Sequence, residues 1–185
     1  MLDTILVQAR SHVDFHDRAV PEELLRKAHD LMKWGPTTAN SQPARVFYLY
    51  SKESREKLRP ALSAANAAKT VPLVAIVAYD TRFYENLPRL FHNPAAINWY
   101  KAPPVAEIHG FRNGTLQGAY LILALRAVGL DCGAMSGFDN AKVDAAFFPD
   151  GRWKSNFLCN LGKGDPSKIF PRNPRLTFEE ACRLA

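Results

Sequence analysis

The stretch that decides the fold is Gly35-Pro36-Thr37-Thr38-Ala39-Asn40-Ser41-Gln42-Pro43, followed by residues 44–50. It begins where a helical pattern ends and passes into an alternating run that is typical of a strand. Proline fixes φ and lacks an N–H, so the two prolines separate the helix from the strand. The hydroxyl and amide side chains between them form either a plain polar connection or a rim that hydrogen-bonds a polar heterocyclic ligand.

Composition bounds the class of protein. The 185 residues, 47% of them apolar, suit one globular domain over residues 1–185 with a sizeable core. The net charge of +6, from 24 basic and 18 acidic residues, is compatible with a phosphate-binding enzyme or with a nucleic-acid-binding protein. The sequence has no long basic run and no basic stripe interleaved with aromatic residues, so we expect no nucleic-acid partner.

Three cysteines, Cys132, Cys159 and Cys182, are far apart and odd in number, which indicates a reducing compartment rather than a disulfide framework. The first residues lack the basic start and apolar block of a signal peptide. The longest strongly apolar stretch, residues 119–125, is too short to cross a bilayer. We therefore expect a cytoplasmic protein with no membrane partner.

Periodicity predicts both helices and strands. The nearly continuous apolar run at residues 72–79 predicts a central strand buried on both faces. Apolar residues surround nearly all sides of the helix predicted at 111–130, so we expect it to be central and buried. The remaining predictions are strands at 46–50 and 156–162, helices at 2–9, 21–34, 54–62, 141–147 and 177–181, a small-residue turn at 132–139, and an aromatic-rich excursion at 80–110.

Two short clusters are candidates for ligand binding. Arg10-Ser11-His12 at a helix end forms either a phosphate clamp or a solvated surface group. Asn66 and Lys69 are three residues apart, so on a helical turn they share one face. An amide beside an ammonium can read the edge of a pyrimidine-like ring, and the alternative is a solvated helix end. His12 and His16 have no further Cys, His or carboxylate cluster nearby in sequence, so we expect no metal.

Together these stretches resemble the nitroreductase family of FMN-dependent oxidoreductases, within which the chain is most similar to the short branch that includes malonic semialdehyde reductases. The resemblance runs from Leu6 to Glu180. It rests on Arg10-Ser11-His12, residues 36–43, Asn66 with Lys69, residues 113–130, Met135-Ser136-Gly137-Phe138-Asp139, and Arg175 near the C-terminus. The resemblance implies an α+β domain whose central mixed, mostly antiparallel sheet is wrapped by helices. It also implies a homodimer with two FMN sites at the interface.

The resemblance further implies roles for individual residues. It implies that Arg10, His12 and Arg175 hold the phosphate, with Ser11 nearby, and that Asn66 and Lys69 meet the pyrimidine edge of the flavin. It implies that Thr37, Thr38 and Asn40 come from the partner chain. Ser136 and Gly137 would lie near the reactive N5. It requires no catalytic side chain, because the flavin carries the chemistry. The chain departs from the family at Asp14, where many members have Lys, and at Asn173, which is basic in some relatives. Arg172 is a possible helper at the phosphate.

The function implied is ping-pong hydride transfer from NADH or NADPH, through flavin N5, to a small oxidised substrate. That substrate is a nitroaromatic, a quinone, an enone or a small aldehyde. The alternatives are a malonic semialdehyde reductase of pyrimidine breakdown, a flavin-consuming or dehalogenating relative on the same fold, and a basic nucleotide- or nucleic-acid-binding protein without redox chemistry.

Overall fold

The fold is organised around a four-stranded sheet. The computed structural model of the protein describes residues 2–69 and 71–185. The strands are β1 (Ala44–Leu49), β2 (Leu73–Asp80), β3 (Asp131–Met135) and β4 (Trp153–Gly162). They pair in the order β1-β2-β4-β3, and each of these pairings is antiparallel. An isolated bridge between Ser11 and Cys132 supplies a parallel component. The predicted α+β class with a mostly antiparallel sheet is confirmed.

Helices surround this sheet. The α-helices are α1 (Glu22–Met32), α2 (Lys52–Leu58), α3 (Ala64–Ala67), α4 (Leu87–Leu90), α5 (Pro103–Ala127), α6 (Asn140–Phe147) and α7 (Phe178–Ala181). A π-helix at Asp3–Gln8 and 3₁₀ turns at Thr38–Asn40, Arg59–Ala61, Phe83–Asn86, Pro94–Trp99 and Pro166–Lys168 complete the described elements. Thr177 caps α7 with a capping box, as its position before the helix predicts. Within the two described ranges, no helix combines the length and apolarity that a membrane crossing requires.

Strand β2 is buried along its whole length because helices cover both faces of the sheet. Successive side chains of a strand point to opposite faces, so β2 contributes to two separate clusters. One cluster joins Leu73, Ala75 and Val77 to Leu25, Ala28 and Met32 of α1 and to Leu121, Ala124 and Leu125 of α5. The other joins Val74, Ile76 and Ala78 to Leu58 of α2 and Val143 of α6. The continuous apolar run of β2 therefore reflects burial on both faces.

The long helix begins earlier than its sequence pattern suggests. We predicted its start at Phe111, whereas α5 begins at Pro103. The two prolines at positions 103 and 104 lie in its first turn, where the missing N–H costs no intrahelical bond. Part of the predicted excursion is therefore helical. The preceding aromatic residues Phe83 and Tyr100 pack together with Ala106 of α5 in a third cluster, whereas Trp99 is exposed.

Strand β3 was missed by the sequence analysis, which placed a small-residue turn at 132–139. Cysteine, glycine and alanine have little intrinsic preference for strands, so the local pattern gives no strand signal. The strand forms because all five residues pair with β4. Gly133 is required at its centre, since a Cβ there would lie 2.1 Å from the main-chain oxygen of His12. The prediction of a turn was thus wrong for residues 132–135.

Helix α5 is only partly buried by this chain. Its inner face carries the buried residues Leu121, Ala124 and Leu125. Large apolar side chains on its other sides are exposed, namely Ile108, Phe111, Leu116 and Tyr120. The expectation of a helix buried on nearly all sides therefore fails for the single chain. An exposed apolar surface of this extent is typical of a protein–protein contact.

Candidate functional site

A hydrogen-bonded cluster joins Lys69, Asn66 and Gly137. The Nζ of Lys69 donates to Oδ1 of Asn66 over 2.6 Å, and Nδ2 of Asn66 donates to the main-chain oxygen of Gly137 over 3.0 Å. The main-chain N–H of Ser63 donates to the same oxygen. A Cβ at position 137 would lie 2.9 Å from Nδ2 of Asn66, so glycine permits this close packing. The predicted pair is thus held together and fixed in orientation, although Lys69 lies beyond the end of α3 at Ala67.

An apolar shelf lies next to this cluster, since Ser136 of the shelf precedes Gly137 in the chain. It borders a cavity of about 350 Å³ and is formed by Thr115, Ala119, Ile122, Ala134, Met135, Ser136 and Phe157. The helical members are spaced at i, i+4 and i+7, which places them on one face of α5. Gly118 lets the ring of Phe157 approach the helix, because a Cβ there would lie 2.5 Å from that ring. A flat, apolar group can lie on this surface, whereas Asn66 and Lys69 line a neighbouring cavity of about 360 Å³ that shares Met135 with the shelf.

The segment that contains Arg10 and Ser11 runs along the outer edge of β3. The main-chain N–H of His12 donates to the oxygen of Cys132 over 2.9 Å. The Arg10 guanidinium donates to the main-chain oxygen of Phe170 in the C-terminal tail. Arg172 reaches the same segment, donating to the main-chain oxygens of Val7 and Ala9 over 2.7 and 3.3 Å. The structure therefore brings two guanidinium groups to residues 7–10.

Arg175 is not brought to this segment by any hydrogen bond of the described residues. Its Nη1 donates to the main-chain oxygens of its neighbours Asn173 and Pro174, and the side chain is exposed. The possible helper Arg172 thus contacts the segment before Arg10, whereas the hydrogen bonds of Arg175 stay within the tail.

His12 is buried, with its ring directed away from open solvent. Its Nε2 lies 3.5 Å from Oδ1 of Asp131, and its Nδ1 has no hydrogen-bond partner. Burial lowers the pKa of His12, and the neighbouring carboxylate of Asp131 partly opposes this shift. Gly164 allows the ring to fit, because a Cβ there would lie 1.9 Å from Nδ1. The imidazole is therefore packed as a neutral group beneath the Arg10 segment.

Several polar groups of the 36–43 loop form hydrogen bonds with other groups of the same loop. Oγ1 of Thr37 accepts from the main-chain N–H of Gln42 over 3.2 Å. Asn40 donates to the main-chain oxygen of Leu90 and accepts from Nε2 of Gln42. The main-chain N–H of Thr38 donates to Oδ1 of Asn113 over 2.8 Å. The loop is therefore ordered by its own side chains and by α5.

This loop and the Lys69 cluster lie at opposite edges of the sheet. The loop leads into β1, whereas Ser136 and Gly137 follow β3, and the strand order puts β2 and β4 between them. Three interstrand spacings correspond to roughly 14 Å. One chain thus carries two separate groups of candidate residues rather than one continuous site.

Sequence reasoning missed most of the shelf. Thr115, Ala119 and Ile122 were assigned to a fully buried helix, although their spacing alone identifies a common face. Ala134 and Met135 were read as part of a turn. The described residues hold no group of three His, Cys, Asp or Glu side chains that could bind a metal ion, so the structure offers no candidate metal site there.

The Nitroreductase family model matches residues 6–163 of the chain. A Ralstonia pickettii protein, provisionally named NADH dehydrogenase/NAD(P)H nitroreductase HadB, is 56% identical over 100% of this chain and 97% of its own length. A Xanthomonas oryzae pv. oryzae protein with the same provisional enzyme name is 55% identical over 99% of this chain and 95% of its own.

The fold also matches solved structures. A provisionally named nitroreductase of Exiguobacterium sibiricum, solved in complex with FMN, superposes with a TM-score of 0.89 at 19% identity. The match covers 100% of this chain and 97% of that one. A cation and amide near an apolar shelf, with the guanidinium groups of Arg10 and Arg172 on segments beside the edge strand, form a donor set that fits a flavin nucleotide. Because the family model spans most of its length and relatives match it end to end, the chain belongs to the nitroreductase family.

Proposed function

We propose that this protein is an FMN-dependent NAD(P)H oxidoreductase. The observation that carries the proposal is the hydrogen-bonded cluster of Lys69, Asn66 and Gly137 beside the apolar shelf. This arrangement suits a flat ring that is apolar on its face and polar along one edge. The names of the Ralstonia and Xanthomonas relatives support NADH or NADPH as the electron donor. The Exiguobacterium complex supports FMN as the flavin.

The cofactor would be held at both of its ends. Asn66 and Lys69 bind the pyrimidine edge, and Ser136 with Gly137 lies near N5. Arg10, Ser11 and His12 adjoin the phosphate. Arg10 supplies the charge, since the imidazole is buried and neutral. Arg172 and Arg175 of the tail complete this end, and the hydrogen bonds of Arg172 to residues 7–9 favour it as the nearer group.

We further propose that the chain forms one domain over residues 1–185 and acts as a homodimer. Thr37, Thr38 and Asn40 contact the flavin of the partner subunit. The separation of roughly 14 Å between the two edges of the sheet supports this arrangement. The exposed apolar residues of α5 supply the contact surface. Sedimentation of the flavin-loaded protein as a monomer would contradict the proposal.

The chain's contribution to the reaction is position and electrostatics. FMN bound here would supply the chemistry, a ping-pong hydride transfer through N5 from NADH or NADPH to an oxidised substrate. Lys69 holds a fixed positive charge where negative charge develops along the ring edge. Ala134, Ser136 and Gly137 have small side chains, which leave space for a second flat molecule.

The substrate class we propose is a nitroaromatic, quinone, enone or small aldehyde, the last including malonic semialdehyde. These molecules share an electron-poor atom that accepts a hydride or its equivalent, and the product then takes up a proton from water. We place the reaction in the cytoplasm, because all three cysteines, Cys132, Cys159 and Cys182, are free thiols.

The test is the visible spectrum of the purified protein, followed by anaerobic titration with NADH and with NADPH. We expect a yellow protein that is bleached by at least one of the two donors and recovers its colour on addition of a nitroaromatic or a quinone. Analysis of the recovered flavin distinguishes a catalytic cofactor from one that is consumed. A colourless protein that takes up no FMN, and binds nucleic acid in a salt-dependent way, would refute the proposal.

A further inference from the structure

The 36–43 loop has a backbone conformation that its residues do not favour. Three non-glycine residues have positive φ: Ala39 at 51°, Asn40 at 48° and Gln42 at 42°. Asparagine tolerates this left-handed region, whereas alanine and glutamine adopt it rarely. Strained backbone of this kind persists only where the surroundings enforce it, and it is concentrated at ligand-binding sites. The contacts that hold the loop therefore bear on function.

Two amide side chains of α5 hold the ends of the loop. Oδ1 of Asn113 accepts from the main-chain N–H of Thr38 over 2.8 Å, and Oε1 of Gln117 accepts from the main-chain N–H of Ala44 over 2.9 Å. Both side chains are almost completely buried, at 1% and 3% exposure. Nδ2 of Asn113 donates to the oxygen of His109, which fixes the orientation of that amide. We call this pair of side chains the amide clamp.

The position of the amide clamp on α5 is informative. Asn113 and Gln117 are one turn apart and share a face of the helix. Residues Thr115, Ala119 and Ile122 of the apolar shelf are about 180° away around the same helix, at 100° per residue. One rigid element thus carries the shelf on one face and the clamp for the 36–43 loop on the opposite face. The helix sets the relative position of the two groups of candidate residues.

We propose that Asn113 and Gln117 are positioning residues for FMN binding. By holding the N–H groups of Thr38 and Ala44, they maintain the strained loop in the shape in which Thr37, Thr38 and Asn40 meet the partner subunit's flavin. They contact no cofactor themselves. This inference rests on the proposed function, because it assumes that the loop binds FMN.

Single variants separate this role from a purely structural one. Asn113→Ala and Gln117→Ala each leave a loop N–H without its acceptor. Asn113→Asp and Gln117→Glu retain an oxygen at the same position. Asn140→Ala is the matched control, since its amide donates to Ser155 and lies outside the loop contacts. Three quantities are measured for each: the dissociation constant for FMN, the thermal midpoint of the flavin-free protein, and amide hydrogen exchange at Thr38 and Ala44.

We expect the two alanine variants to bind FMN roughly tenfold more weakly and to lose exchange protection at the affected N–H. The acidic variants should recover part of the affinity, because they keep the acceptor. Asn140→Ala should lower the thermal midpoint without changing the dissociation constant or the exchange at Thr38.

Each other outcome has a definite meaning. Unchanged FMN affinity in a clamp variant that has lost exchange protection would refute the positioning role while leaving the proposed function intact. Unchanged exchange would refute the clamp itself. Failure of the unmodified protein to bind FMN would refute the proposed function and this inference with it.

Discussion

Asp80 is a buried carboxylate that joins four parts of the chain. It lies at the end of β2 with its side chain 2% exposed. Its Oδ2 accepts from Nη2 of Arg45 over 2.8 Å, and its Oδ1 accepts from Nε of Arg152 over 3.1 Å and from the main-chain N–H of Arg82 over 2.9 Å. Arg152 also pairs with Glu85 at the start of the excursion. We predict that Asp80→Asn destabilises the fold markedly.

The magnitude follows from what remains after the substitution. Asparagine preserves the volume, but it removes the negative charge between two guanidinium groups and turns an NH₂ group towards one of them. Breaking a buried ion pair typically costs 3–5 kcal/mol. The arginines are 25% and 31% exposed and Glu85 remains, so we expect a loss of about 2–4 kcal/mol. With a urea m-value of roughly 2 kcal/mol/M, the midpoint should fall by about 1–2 M.

The assay is urea unfolding of both proteins at one protein concentration, since subunit association alters apparent stability. Glu56→Gln is the matched control, because it makes the same chemical change in a surface pair with Arg59 that is about half exposed on each side. Exposed pairs contribute under about 1 kcal/mol. If Asp80→Asn unfolds within about 0.5 kcal/mol of the unmodified protein, as surface substitutions do, the buried network does not stabilise the fold.

Three further predictions concern the site. Arg10→Ala should weaken FMN binding about tenfold to a hundredfold with little change in thermal midpoint, and an unchanged dissociation constant in an equilibrium titration would exclude Arg10 as a phosphate ligand. Lys69→Ala should bind oxidised FMN nearly as well as the unmodified protein does. The reduction potential of the bound FMN should fall by about 30 mV for each 1.4 kcal/mol of lost charge stabilisation, which spectroelectrochemistry measures. A potential equal to that of the unmodified protein would show that Lys69 does not face the ring. Gly164→Ala should destabilise the fold by about 1–3 kcal/mol, because the new methyl group overlaps the His12 ring. The double variant with His12→Ala should lose less than the sum of the single variants, whereas strict additivity would mean that the overlap is relieved elsewhere.

Local sequence patterns predicted the secondary-structure elements whose signals lie within or next to the element itself. The apolar run of β2 and a helix that ends before Gly35-Pro36 were both predicted, because burial on two faces and a proline leave direct signals in sequence, although α1 ends at Met32, two residues earlier than predicted. Strand β3 left none, since its small residues pair only because β4 offers an edge. The start of α5 was missed because residues 80–110 were assigned as a whole to an aromatic-rich excursion, whereas the helix already begins at Pro103.

The residues of the candidate site likewise fall into those that a local sequence pattern predicts and those that only tertiary packing brings together. The three-residue spacing of Asn66 and Lys69 predicted a shared helical face; their side chains do meet in a hydrogen bond, although α3 ends at Ala67 and Lys69 lies beyond it. The contact of Arg10 with Phe170 joins positions 160 residues apart, and no local pattern encodes such a contact. The burial of His12 likewise depends on Gly164, far along the chain. Residue type indicated which groups could bind a phosphate, whereas tertiary packing decided which of them remain accessible.

The apolar surface of α5 bears on how a homodimer of this chain would be held together. The half-exposed side chains of this helix are Ile108, Phe111, Leu116 and Tyr120. Burying the exposed half of one such side chain contributes roughly 1 kcal/mol, so both copies of the helix together would contribute about 8 kcal/mol. Association costs about 4–15 kcal/mol, which is of the same size. Helix α5 alone therefore does not account for a tight dimer. The exposed Phe170, Leu176 and Phe178 of the tail, together with Leu6 and Val7 of the N-terminal π-helix, offer the additional apolar surface that a stable interface requires.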